Sequence, residues 1–453
     1  MKIVVLGAGY VGLTTSACLA QLGHDVTCCD IDDTRIAALR CAEIPIYEPG
    51  LTDLVRTQMQ AGRLRFANDA TGPAASAAAV FLAVGTPSDA RGDIDLSFVE
   101  AGAASVAPHM RSGAILVVKS TVVAGTARQL DQLVKRVRRS DDVTVASNPE
   151  FLREGSAIDD FMGADRIVIG VDDARSDSVL RAIYKPLTRA GVPLVATATV
   201  NAELIKYSAN ALLALKIGFI NDVADLCEAI GGDVTAVADG IGRDHRIGTA
   251  FLAAGPGFGG SCFPKDTRAF ASTGRRYGAR QPLVEALIEG NEARKRAMSE
   301  RIIKATPHHG RVALLGTSFK ANTDDVREAA AMIIVPILVK AGLDVHAHDP
   351  QPGSAMRHLA GIHWHDSALA AARDADVTVI LTEWDEYRGL DLDRLCMAMR
   401  GRLLLDFRNI IAGERAARAG LHYHGLGRPA AIPEPTRRGQ GTSPALHVAA
   451  SPA

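Results

Sequence analysis

Residues 2–30, KIVVLGAGYVGLTTSACLAQLGHDVTCCD, read as strand, glycine-rich turn, helix, glycine stop and second strand. A short apolar run leads into Gly7, Gly9 and Gly12, which stand at the spacing G-x-G-x-x-G. Gly7 serves the tight turn, Gly9 the close approach of backbone to a pyrophosphate, and Gly12 the packing of helix on strand. The helix N-terminus behind them offers unpaired N–H donors to an anion. Asp30 follows Gly12 by 18 residues, at the end of the second strand. A carboxylate there accepts from the adenosine ribose hydroxyls and repels the extra phosphate of NADP. The stretch therefore sets an α/β, doubly wound fold with a dinucleotide site, and favours NAD as the cofactor.

Downstream, the apolar runs at 79–84, 115–118, 143–145 and 167–169 read as further buried parallel strands with helical stretches between them. Their exits carry Gly85-Thr86-Pro87, Lys119-Ser120-Thr121 and Asn148-Pro149-Glu150. Open α/β sheets bind ligands at such ends, so Thr121, Glu150 and Glu154 are candidates to line the nicotinamide end. The same residue types also serve as caps at strand exits. From 201 to 230 there is no proline and only Gly218 interrupts, which predicts a long helix closed by Gly231-Gly232 and buried between domains or against a second subunit. Lys206 and Asn210 share a face one turn apart. They form either a grip on a sugar hydroxyl or oxyanion, or a polar strip facing solvent. At 255–266, GPGFGGSCFPKD, Cys262 follows Gly259-Gly260, which leaves its thiol uncrowded. It is either a nucleophile or a small buried hydrophobe.

The last third repeats the strand–turn theme at 311–320, RVALLGTSFK, and ends its second strand in Asp349. It lacks G-x-G-x-x-G and need not bind a dinucleotide. Lys320 and Arg408 sit after strands, where a sugar diphosphate could be gripped. The pairs His346/His348, His363/His365 and His422/His424 alternate as strand neighbours do and read as exposed strand faces, so no metal site is expected. The whole reads as two Rossmann-like doubly wound domains joined by a long central helix: 1–198, a helical 199–300 with the thiol loop, 301–428, and a disordered tail at 429–453.

Length and composition agree with this. A chain of 453 residues has room for two to three domains, and its formal net charge of -1 provides no basic field for nucleic acid and no polybasic patch for a membrane. Seven scattered cysteines imply reduced thiols. With neither a signal-peptide pattern nor a membrane-spanning apolar run, a soluble cytoplasmic protein is expected.

From residue 1 to about 428 the chain closely resembles the UDP-glucose 6-dehydrogenases within the wider nucleotide-sugar 6-dehydrogenase superfamily. The resemblance rests on GAGYVG at 7–12, PIYEPGL at 45–51, VGTP at 84–87, KSTVVAGT at 119–126, NPEFLREGSAI at 148–158, DRIVIG at 165–170, KYSAN at 206–210, RIGTAFL at 246–252, GFGGSCFPKD at 257–266 and FKANTDDVREA at 319–329. It implies a two-step, NAD-dependent oxidation of a sugar CH2OH to a carboxylate, through a thiohemiacetal and a thioester on Cys262. By similarity, Lys206 and Asn210 stabilise the oxyanion, Asp266 assists proton transfer, and Glu154 with Thr121 positions water. Gly7, Gly9, Tyr10, Val11, Gly12, Asp30, Arg35, Thr86, Lys265 and Arg327, with Thr121 and Glu154, would form the NAD side. Glu150, Phe151, Leu152, Arg153, Glu154, Lys206, Asn210, Phe251, Leu252, Ala253, Ala254, Gly255, Gly259, Lys320 and Arg408 would hold the nucleotide sugar, with Arg246 reaching a neighbouring subunit's site. UDP-glucose is the implied substrate, and the bridging helix suggests a homodimer or higher homo-oligomer. GDP-mannose or an N-acetylhexosamine nucleotide is the alternative substrate, and a non-catalytic NAD-binding protein the alternative class. Where relatives commonly read Asp-Gly-Arg, this chain has Asp406-Phe407-Arg408, and Phe lacks the conformational freedom that glycine would give Arg408.

Overall fold

The computed structural model describes residues 1–89 and 92–433, so most of the expected tail (434–453) lies outside the described residues. The first sheet contains β1 (Lys2–Leu6), β2 (Asp25–Cys29), β3 (Leu64–Ala67), β4 (Ala79–Leu82), β5 (Ile115–Val118), β6 (Thr144–Ser147), β7 (Ile167–Gly170) and β8 (Leu194–Thr197). Their order is β3-β2-β1-β4-β5-β6-β7-β8, with the reversal between β1 and β4 that defines a doubly wound sheet. Alternate residues of the central strands feed two cores: Ile3, Val5, Phe81 and Val117 on one face, Val4, Val80, Leu82 and Leu116 on the other. Burial on both faces is why these strands are near-continuous apolar runs.

One expectation fails in this sheet. The run at 167–169 forms a strand, but β7 meets β6 antiparallel, through Ser147 and Gly170. An apolar run reports burial; the sense of a strand is set by its connection. Here residues 148–166 stay at the exit end of β6 and include only a six-residue helix, Ala157–Met162, so β7 runs back. This keeps Glu150 to Glu154 over the ligand-binding ends of the strands.

The second sheet contains β9 (Arg311–Leu315), β10 (Asp344–His348), β11 (Ile362–Trp364), β12 (Val377–Ile380), β13 (Leu403–Asp406) and β14 (His422–Gly425), in the order β11-β10-β9-β12-β13-β14. All its pairings are parallel and it repeats the arrangement of the first. Asp349 stands beyond β10 as Asp30 stands beyond β2. The two carboxylates act alike: Asp30 Oδ2 accepts from Ala8 N at 2.7 Å, and Asp349 Oδ2 from Thr317 N at 2.6 Å and Ser318 N at 3.0 Å. Four of the six histidines depart from the expected exposed faces, His365 and His424 by being half-buried. His346 and His348 are buried, because helical residues 368–371 pack on β10 and Tyr387 closes over His348. His363 and His422 are exposed as expected. Ala431 pairs with Tyr423 beyond β14.

A 32-residue central helix, Thr199–Ile230, joins the two sheets and spans about 48 Å. At its start Glu203 accepts from Gly125 N at 2.6 Å and Ala127 N at 2.8 Å, which fastens it to the first unit. At its end Gly231 takes a left-handed φ of 81°, the C-cap conformation glycine favours, and Glu228 accepts from Gly427 N in the second unit. Two further helices pack along it: Phe263–Arg276, which begins at the thiol, and Pro282–Ala305.

Candidate active site

Two alternatives left open by the sequence are decided by burial. Lys206 and Asn210 are 3% and 6% exposed, so they are not a polar strip facing solvent. Lys206 Nζ lies 2.9 Å from Glu150 Oε1, and Asn210 Nδ2 donates to Asp266 Oδ2 at 2.6 Å. Burial works against the Lys206 charge, but Glu150, Cys262 and Asp266 together outweigh it and hold the ammonium above its usual range. Burial likewise disfavours the Glu150 carboxylate, and Lys206 pulls it below its ordinary value. Glu150 is therefore not simply a cap.

Cys262 is half-buried and sits at the N-cap of the helix Phe263–Arg276. Burial pushes its thiol up to about 11, and the Lys206 charge pulls in the opposite direction. A thiol so held is protonated at neutral pH and needs a proton acceptor as it reacts. Asp266 Oδ1 is buried with no hydrogen-bond partner, and its nearest cation is Lys265 Nζ at 3.4 Å. Lys265 Nζ also reaches Thr86 Oγ1 at 3.2 Å, which links the thiol helix to the exit of β4.

The loop before the thiol is tightly held. Asn291 accepts from Phe258 N at 2.8 Å and donates to Phe258 O at 3.1 Å. Asn221 accepts from Gly255 N at 2.8 Å, and Arg294 Nε donates to Gly255 O at 2.6 Å. A Cβ on Gly259 would lie 2.5 Å from Glu328 O, so only glycine permits this approach. Asn221, Asn291 and Arg294 were not foreseen from sequence. Each lies inside a long helix, where nothing local separates a loop-pinning side chain from a solvated one.

Glu154 gathers three side chains from two segments: Ser261 Oγ at 3.2 Å from the thiol loop, and Thr323 Oγ1 at 3.1 Å and Arg327 at 3.4 Å from 319–329. Burial first, then the Asp325 charge, raise it to about 7, against the pull of Arg327. Thr121 is half-buried at the exit of β5. Glu48, in the PIYEPGL segment, is a second unforeseen anchor. It accepts from the Tyr10 hydroxyl, from Gly155 N at 2.6 Å and from Ala157 N at 2.8 Å, so Tyr10 helps hold the 150–157 loop.

The glycine turn fits a dinucleotide. A Cβ on Gly12 would lie 1.8 Å from Gly7 O and one on Gly7 2.5 Å from Ala83 O, whereas one on Gly9 meets nothing within 4 Å. The open side of the turn is thus the side a pyrophosphate approaches, with Val11 half-buried in the first turn of the helix behind it. Asp30 lies beside it, its charge opposed by burial but supported by the Ala8 and Asp32 N–H groups and by Arg35 at 3.0 Å.

At the second sheet, Arg408 Nε donates to Leu381 O at 2.8 Å and NH2 to Phe319 O at 2.8 Å, with Glu383 at 3.1 Å. A Cβ on Gly255 would come within 3.1 Å of its NH1. Lys320 is kept below its usual range by burial, which outweighs Glu154 and Glu383. Phe407 does not require glycine's freedom. It is fully buried in the second core without a positive φ, and the turn is made by Asn409 at 54° instead. Phe251 (φ 64°), Leu252, Ala253 and Ala254 lead into Gly255, with Leu252 and Ala254 buried and Ala253 exposed. The Phe151 ring meets the Arg166 guanidinium at 3.9 Å and Lys206 Nζ at 5.4 Å from its centroid, and Leu152 N donates to Glu150 at 2.6 Å. Arg153 is turned outward onto Asp160, and Arg246 outward onto Asp244. Neither side chain joins the central cluster within this chain.

Three consecutive sequence models of one family cover these units: an NAD binding domain over residues 1–188, a central domain over 200–293 and a UDP binding domain over 313–413. The chain belongs to the UDP-glucose/GDP-mannose dehydrogenase family. A protein of Rhizobium meliloti named UDP-glucose 6-dehydrogenase is 47% identical over 437 residues, covering 95% of this chain and 100% of that one. A namesake from Pseudomonas aeruginosa is 42% identical over 445 residues, covering 95% and 98%. The solved structure of a UDP-glucose dehydrogenase from Pyrobaculum islandicum matches with a TM-score of 0.86 at 36% identity, over 94% of this chain and 98% of that one. As a member of this family the chain is an NAD-dependent dehydrogenase. Cys262, Lys206, Asn210 and Asp266 fall within its central-domain segment, and Lys320 and Arg408 within its UDP binding segment.

Proposed function

We propose that the chain oxidises UDP-glucose to UDP-glucuronate, using two NAD+ per sugar, through covalent capture on Cys262. The observation that carries this reading is the buried cluster of Lys206, Asn210 and Asp266 around that thiol, between a dinucleotide turn and a second basic site. Gly7, Gly9, Gly12 and Asp30 would hold NAD+, which would supply the hydride acceptor, one NAD+ for each oxidation with exchange of the reduced cofactor between them. Asp266, with its unpartnered oxygen, takes the proton of the sugar C6 hydroxyl, and Lys206 with Asn210 holds the oxygen as the aldehyde forms. The Cys262 sulfur then bonds to the aldehyde carbon, and its proton passes to the carbonyl oxygen, held by the same two side chains. Asp266, once it has released the first proton to water, takes the hydroxyl proton of this thiohemiacetal as the second hydride leaves, and the carbon becomes a thioester. Water positioned by Glu154 and Thr121 attacks it, the carbon–sulfur bond breaks, and carboxylate and thiol are released. Lys320 and Arg408 suit the diphosphate, and Phe151 to Glu154 and Phe251 to Gly255 the uridine and sugar.

We also propose a homodimer formed along the central helix. Leu212, Phe219 and Leu226 stand seven residues apart on it, 61%, 57% and 57% exposed, an apolar stripe that a second copy would cover. Arg246 points outward, in position to reach a neighbour. Seven free cysteines suit a reducing cytoplasm, and the charged sugar acid suits polysaccharide assembly.

The test is NADH counted per sugar across a panel of nucleotide sugars. Two NADH per UDP-glucose, with kcat/KM highest for that sugar, is expected, and Cys262→Ser should lose acid formation almost completely. One NADH per sugar would overturn the four-electron reading, and a preference for GDP-mannose or an N-acetylhexosamine nucleotide would overturn the substrate.

A further inference from the structure

The outer strands of the second sheet carry a cluster that the dehydrogenase chemistry does not use. His346 on β10 and His363 on β11 are direct partners in the parallel register. Asp344 precedes His346 by two residues and shares its face, and His365 follows His363 by two on theirs. The rings are layered: His346 lies 4.9 Å from both His363 and His365, centroid to centroid, at interplanar angles of 30° and 20°.

The donor atoms converge. His346 Nε2 is 3.1 Å from Asp344 Oδ1, and His363 Nε2 is 3.6 Å from the same oxygen. One donor atom from each of the three residues fits within a span of 4.8 Å. Two ligands each 2.0–2.1 Å from a tetrahedral ion stand roughly 3.4 Å apart, and the two separations from Asp344 Oδ1 bracket that spacing. The remaining groups orient these donors. Arg311 Nε donates to Asp344 Oδ2 at 2.9 Å, an oxygen that His346 Nε2 also meets at 3.1 Å, so the carboxylate is fixed edge-on to His346 with Oδ1 toward His363. His365 Nε2 lies 2.7 Å from His346 Nδ1 and can accept a proton from it, so that His346 Nε2, which donates to Asp344 without an ion, can give its lone pair to a metal. An imidazole whose second nitrogen is bonded in this way is the usual form of a metal-binding histidine.

We propose that Asp344 Oδ1, His346 Nε2 and His363 Nε2 form a binding site for a divalent late transition-metal ion of the zinc class. Two imidazoles and one carboxylate suit such an ion better than calcium or magnesium, which take oxygen ligands. His346 supplies the buried wall, and His363, whose side chain is 66% exposed, the open side, where water completes the coordination. The ion would clip β11, an edge strand of three residues, to β10.

The experiment is calorimetric titration of the full-length chain with zinc, in the parent and in Cys262→Ser, which removes the active-site thiol as a competing ligand; the exposed Cys41 remains, and the cobalt spectrum reports on it. One ion per chain should bind in the Cys262→Ser protein. His363→Ala and His363→Gln, made in that background at an exposed ring, should weaken binding at least tenfold while leaving the metal-free melting temperature unchanged. Cobalt in the same protein should give visible d–d bands without a thiolate charge-transfer band. Unchanged affinity in both His363 variants, or no stoichiometric binding in Cys262→Ser, would overturn the site.

Discussion

Glu154 shows how much a single residue depends on its surroundings. Its carboxyl lies among Ser261, Thr323 and Arg327, which belong to the thiol loop and the second unit. Burial and Asp325 lift it to about 7, so a group that in water would be fully ionised near neutrality titrates in the working range. Only the ionised form can accept a proton from water. Acid formation at saturating UDP-glucose and NAD+ should therefore fall as the pH drops through about 7 and level off above it. In Glu154→Gln it should be slow and lose that pH dependence between pH 6 and 8. A Gln variant that kept the same limb would assign the titration to another group. The Cys262 thiol lies higher, at about 11, for the same primary reason, burial, so its proton must leave during the bond-forming step.

Among the elements, the loop 255–262 is organised by its neighbours rather than by its own composition. Its glycines allow the path, but Asn221, Asn291 and Arg294, projecting from two helices, select it. Asn291→Leu keeps the volume and removes both bonds to Phe258. Leaving that buried N–H and C=O unpaired should cost about 1–3 kcal/mol of stability. It should also lower kcat more than it raises KM for UDP-glucose, because the thiol is misplaced while the nucleotide contacts remain. Thermal melting and steady-state kinetics check this, and a variant with parent stability and kcat would show that the loop is held without Asn291. The Glu203 carboxylate does comparable work at the start of the central helix, where it caps Gly125 and Ala127.

At the scale of the whole molecule, the repeated strand order places two ligand-binding ends on either side of the thiol helix, bridged by Lys265 to Thr86 and by Glu154 to Thr323. The exposed stripe on the central helix predicts association. Phe219→Glu should shift the protein to a monomer in sedimentation velocity and lower activity, and an unchanged sedimentation coefficient would remove the helix from the interface. Much of this arrangement was legible in the chain itself. The glycine spacing with Asp30, the unbroken 201–230 segment and the Cys262 loop are local patterns, and local patterns follow from backbone sterics and helical period. Alternatives that depended on neighbours far along the chain stayed open. Lys206 and Asn210 could be read as a solvated strip until Glu150 and Asp266 met them. The direction of β7 was set by a connection, and His346 was buried by helical residues 368–371 that its own strand does not announce. Phe407, which lacks the conformational freedom of the glycine common in relatives, fills the second core while Asn409 takes the left-handed position. The sequence by itself determined which elements form and which chemistry-bearing residues they carry, because those depend on contacts within a few residues. The tertiary structure alone decided which of those residues are buried together, and so which carry shifted charges, because burial is a property of segments that meet only when the chain is folded.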